Sequence, residues 1–159
     1  MIGFTSPIQA GFQNDEKEPQ SEQQRENNTR RLIMREEQLF REMKTSATEL
    51  ERLAKVFAKR WEAAPANVKP VFTEDDREQL KQMEKLAKKI RSAQGAYGGD
   101  DDSPLPVVFN EQVALLVKLT DEVRQQADKA KRQTLSVGIH SRVGRIQRLV
   151  KALRSASNS

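Results

Sequence analysis

The sequence predicts an all-α protein: an antiparallel bundle of three long helices plus a basic C-terminal helix, preceded by a flexible N-terminal arm. Three observations carry this. Ala, Glu, Lys, Leu, Arg and Gln dominate the middle and end of the chain, and such residues lose little rotamer freedom on a helix. Aromatic residues are few, six Phe, one Tyr and one Trp among 159 residues, which disfavours sheet. Apolar residues also recur at alternating steps of three and four in four separate stretches, the period of a packed helix face.

The arm comes first. Ile2, Phe4, Ile8 and Phe12 stand among Gly, Pro and Ser without helical spacing, followed by a polar tether over 13–28. Such polar sequence buries too little to order itself, so residues 1–28 are expected to be a flexible arm. The four apolar residues either dock on a partner or fold back on their own bundle.

A first helix is predicted over about 29–64. Its seam runs Ile33, Glu36, Phe40, Met43, Ala47, Leu50, Ala54, Phe57, Trp61 and Ala64, widened by Leu39 and Leu53. Pro65 should end it and Pro70 keep the connection extended. Thr73 is a fitting N-cap for a second helix over about 73–95, because Asp76 three residues on imitates a capping box. Leu80, Met83, Ala87, Ile90 and Ala93 form its stripe. Lys85, Lys88, Lys89 and Arg91 sit in its last turns, where cations suit the helix dipole. A Gly- and Asp-rich loop follows.

The third helix is expected over about 110–137, with Asn110 as N-cap and the stripe Val113, Leu116, Thr120, Val123, Ala127, Ala130, Thr134, Val137. Extending that stripe runs into polar Ser141, Gly144, Arg148 and Lys151. The apolar face is renewed in another phase by Ile139, Val143, Ile146, Val150 and Leu153. A kink or break near 136–141, then a fourth helix over about 139–155, accounts for the change. The two interior connections, about 8 and 15 residues long, permit helices one to three to close antiparallel, with 29–156 as the bundle domain.

The sequence carries little chemistry. With no cysteine there is no disulfide, thiol catalysis or Cys-ligated zinc. The single histidine, His140, lacks the Glu-x-x-His setting of a bundle metal site and is expected to be packed or solvated. Asp100, Asp101 and Asp102 lack the spacing of a calcium loop. Trp61 and Phe57, at helical spacing, belong to a core. No catalytic residue, cofactor or metal is therefore expected. The first residues lack the apolar run of a secretory signal, and no stretch is long enough to span a bilayer. The expected location is cytoplasmic.

Charge is uneven. The net charge of +5 is concentrated at the C-terminus: residues 110–159 alone carry +6. Arg142, Arg145, Arg148, Lys151 and Arg154 recur every third residue, so the polar face of the last helix is entirely basic between 139 and 154. Four uses are open. The helix could dock on a protein partner through its apolar stripe while the cations grip an acidic rim. The cations could hold nucleic-acid phosphates. The helix could lie on an anionic membrane, an idea weakened by the lack of Trp or Phe on its apolar face. Finally, the cations could be a solubilising face partly paired with the chain's own acids. The expectation is a non-enzymatic protein-interaction protein: an adaptor, assembly factor or structural subunit. The alternative is a small nucleic-acid-binding accessory protein. A homo-oligomer is a further expectation, since the seam of helix one exceeds what the shorter second helix can cover.

Overall fold

In a computed structural model, residues 21–65, 69–93, 102–130 and 137–157 are described, the side chains of Val137 and Ser157 excepted. Four helices account for most of them: α1 (Glu22–Trp61), α2 (Glu74–Ala93), α3 (Phe109–Lys129) and α4 (Val137–Ser157). No strand occurs among the described residues. The chain divides into two compact units, residues 1–36 and 37–159. The arm residues Ile2, Phe4, Ile8 and Phe12 lie outside the described residues.

In the first unit the described residues are the opening turns of α1. The helix begins at Glu22, earlier than apolar periodicity predicts, because Ser21 and Gln24 form a capping box. The Gln24 amide donates to Ser21 Oγ (3.2 Å) and the Ser21 amide to Gln24 Oε1 (3.3 Å). Two of the amides that a helix start leaves unbonded are thereby satisfied. Residues 22–28, expected in the polar tether, are thus helical. Every residue from 21 to 36 is exposed.

In the second unit the predicted stripes meet in one core. Met43, Ala47, Leu50, Ala54 and Phe57 of α1 are buried with Leu80, Met83, Ala87 and Ile90 of α2 and Leu116, Val123 and Ala127 of α3. From α4 come Ile139, Val143, Ile146, Leu149, Val150 and Leu153. Each large side chain fully removed from water contributes about 1.5–3 kcal/mol. At one end, Phe57, Trp61, Phe72 and Phe109 form an aromatic cluster with edge-on contacts: 5.7 Å between the Phe57 and Phe72 centroids and 5.3 Å between Trp61 and Phe109. Edge-to-face geometry suits their quadrupoles. This places Phe57 and Trp61 in a core, as their spacing indicates.

α4 packs against both α2 and α3. Arg91 meets Gln147 while Arg154 meets Glu84, so α4 runs antiparallel to α2. It also runs antiparallel to α3, since Arg142, near its start, meets Glu122, near the end of α3. α2 and α3 therefore point the same way, and each runs antiparallel to both α1 and α4. Ahead of α3, Ser103 accepts a hydrogen bond from Arg148 of α4 (3.1 Å), and Phe109 opens α3 beside Trp61 of α1.

Several helix ends differ from the sequence reading. α1 stops at Trp61 and closes with a turn in which the Ala64 amide donates to the Trp61 carbonyl (3.1 Å). The residue preceding Pro65 is biased against the helical region, so the helix ends ahead of the proline. Thr73 caps α2 as predicted: its hydroxyl accepts from the Asp76 amide (3.3 Å), and its own amide donates to Asp76 Oδ2 (2.8 Å). α3 has Val108 at its N-cap with no side-chain cap. Asn110, expected there, instead donates to the Ala64 carbonyl (3.3 Å) and ties α3 to the end of α1. Ala130 leaves the helix in an extended conformation (φ −69°, ψ 137°). α3 and α4 are accordingly separate helices, the break lying before the change of phase. Thr134 of the predicted stripe lies outside the described residues.

Candidate functional site

The sequence nominates the basic row of α4, and the structure places each member. Arg142 donates through Nε to Glu122 Oε2 (2.5 Å) and through Nη1 to the Gly138 carbonyl (3.2 Å). Arg154 is paired with Glu84. Arg148 is exposed and bonded to Ser103, Arg145 is half-buried, and Lys151 is exposed. The row is therefore interlaced with carboxylates and carbonyls from α2, α3 and the 94–108 connection. Beneath it the apolar stripe of α4 is fully taken up by the core. Two acids answer the row among the described residues, Glu122 of α3 and Glu84 of α2.

Arg124 shows the same matching. Its Nε lies 2.7 Å from Glu51 Oε2, its Nη1 2.8 Å from Asp128, and its Nη2 3.5 Å from Asp121. The hydrogen bond and charge of Glu51, helped by Asp128 and Asp121, raise the guanidinium pKa above its ordinary value. At the other end of the bundle, fully buried Asp76 lies 3.0 Å from Arg60 Nε while also closing the α2 capping box. That carboxylate serves two structural tasks, and a buried charge is tolerated when it is so paired.

A different cationic surface escaped the sequence reading. An open groove of about 440 Å³ lies between α1 and α2, lined by Leu39, Glu42, Lys85, Lys88, Lys89 and Ala93. Steps of three and four put the lysines on one face of α2. None of the three reaches a carboxylate among the described residues. The nearby acids are engaged elsewhere: Glu84 with Arg154, and Glu42 with the Gln38 amide (3.3 Å). Leu39 is 38% exposed and Ala93 half-buried, giving the groove an apolar element under a basic rim. The lysines were legible as dipole-favourable residues. The missing signal was that none of them pairs with a carboxylate among the described residues, which depends on helix pairing.

The opening of α1 is a second exposed surface. Leu32 is 62%, Ile33 37% and Met34 66% exposed, among Arg30, Arg31 and Arg35. In the seven-residue repeat, Leu32 and Ile33 share phase with Ser46 and Ala47, which are buried. Glu36, the acid of the predicted seam, is exposed.

His140 is buried in the first turn of α4, and its Nδ1 has no hydrogen-bond partner among the described residues. Asp102 is exposed, while Asp100 and Asp101 lie outside the described residues. No group of three metal-ligating side chains occurs among the described residues, and no helix there is long and apolar enough to cross a membrane. No family model, curated protein or solved structure matches the chain.

Proposed function

We propose that this chain is a non-enzymatic interaction protein, an adaptor, assembly factor or structural subunit, that works through helix faces its own core leaves uncovered. The observation that carries the reading is the opening of α1, where every residue from 21 to 39 is exposed and Leu32, Ile33 and Leu39 are among them. Isolated helices are marginal in water, and most helical stability comes from packing an apolar face. A partner, whether another protein or a second copy of this chain, would supply that packing. The alternative, nucleic-acid binding through α4, has less support. Arg142 and Arg154 already hold carboxylates, which a phosphate would have to displace.

The test is a double substitution, Leu32→Glu with Ile33→Glu. The wild-type chain should retain a defined partner in cross-linking from its native cells, or self-associate in sedimentation, and the variant should lose it with an unchanged thermal melt. Identical sedimentation and identical cross-links for both chains would end the proposal.

A further inference from the structure

We infer that the lysine-rimmed groove between α1 and α2 docks an acidic amphipathic helix of a protein partner. The inference rests on the interaction reading above and gives that partner a chemistry. Two properties of the groove select the occupant. Lys85, Lys88 and Lys89 form a cationic rim on the α2 side, none of them paired with a carboxylate among the described residues, while Glu42 lines the groove from α1. On the α1 side of the groove stands Leu39, a large apolar side chain left 38% exposed. An amphipathic helix laid along two antiparallel helices sets apolar side chains into such a groove and places its flanking glutamates or aspartates against the lysines. The four-carbon lysine stems extend the apolar wall while the ammonium groups reach the rim.

A phosphate backbone satisfies only half of this surface, because it offers nothing apolar to cover Leu39. Its bidentate geometry also favours arginine over lysine. Glu42, on the α1 side, sets polarity within the groove: the acids of the occupant belong along α2, and a basic or neutral residue beside Glu42. Complementary charges steer the encounter and fix register more than they add affinity.

The experiment is fluorescence anisotropy with the full chain and a labelled synthetic peptide in which leucines at heptad spacing alternate with glutamates. The controls are the same peptide with lysines for glutamates, and labelled duplex DNA. The acidic peptide should bind in the micromolar range and weaken with added salt. Changing Lys85, Lys88 and Lys89 together to Glu should weaken it by about tenfold or more, the sum of three modest exposed charge contacts. Leu39→Ser should weaken it without altering the salt dependence, and Lys151→Glu on α4 should leave it unchanged. Circular dichroism verifies that each variant keeps its helix content, and Lys88→Ala alone replaces the triple variant if that one does not.

Absence of saturable binding at low salt overturns the inference, as does binding indifferent to both the lysine and Leu39 changes. Equal or tighter binding of DNA through the same lysines also overturns it and assigns the groove to nucleic acid. A chain that ignores the acidic peptide yet keeps its Leu32- and Ile33-dependent partner loses this inference alone. A chain that binds the peptide but has no such partner loses the α1 proposal alone.

Discussion

Helices α2 and α4 carry similar numbers of cations, six and five, and put them to different use. α4 presents five cations at every third position, and at least two are held by carboxylates of neighbouring helices: Arg142 by Glu122 and Arg154 by Glu84. α2 presents three lysines on one face, and none meets a carboxylate among the described residues. Along the chain α4 is the more conspicuous row; in three dimensions α2 offers the more available charge. The number of cations on a helix says how much charge must be solvated or paired. Whether it is available to a partner depends on the acids that packing brings beside it.

The comparison can be broken in several ways. The largest effect is expected at Asp76, a fully buried acid that both caps α2 and pairs with Arg60. Asp76→Ala removes the α2 cap and the partner of Arg60 together, and should destabilise the fold by about 2–4 kcal/mol in urea unfolding. A loss below about 1 kcal/mol would mean that the Arg60 contact and the cap contribute little. Next comes Glu122→Gln, which leaves Arg142 without its carboxylate. It should cost about 1 kcal/mol and raise the affinity of the chain for polyanions in a low-salt titration. If matching matters less than proposed, that affinity will not change. Neutralising Lys85, Lys88 and Lys89 with Gln should alter stability by less than about 0.5 kcal/mol, because none of them pairs with a carboxylate among the described residues and the helix dipole acts mainly on the last turn, where Arg91 stands.

The smallest effect is expected at an exposed pair within α1. Glu49 accepts hydrogen bonds from Arg52 (2.5 and 3.0 Å), and these, with the attraction between the charges, hold its carboxyl below the ordinary glutamate value. A carboxyl depressed in the folded state stabilises above the unfolded pKa, and that contribution is lost as pH falls through the folded one. Arg52→Ala should therefore slightly lower stability near neutrality and leave it unchanged at strongly acidic pH. A difference that grows on acidification would contradict this.

Most of the core was legible in the residues. The buried face of α1 from Met43 to Phe57, the α2 stripe and the α4 stripe all follow from three-four spacing, because burying a helix requires one continuous apolar side. The Thr73–Asp76 cap was legible because it is local. The Ser21–Gln24 box is equally local, a Ser-x-x-Gln pattern inside the polar tether. Asn110 was misread because its side chain answers a carbonyl remote in sequence, that of Ala64. The break at Ala130 was placed too late, because small seam residues keep their phase whether or not the helix continues.

By itself, then, the sequence determined the helix class, the identity of the buried faces and the location of positive charge. These depend on residue type and on spacing within one helix. Tertiary structure alone decided that α2 and α3 run in the same direction, that Arg142 and Arg154 find Glu122 and Glu84, and that Lys85, Lys88 and Lys89 find no acid among the described residues. Those outcomes depend on which helices become neighbours. Neighbour choice is set by the joint packing of four apolar faces, which is not a property of any local stretch of chain.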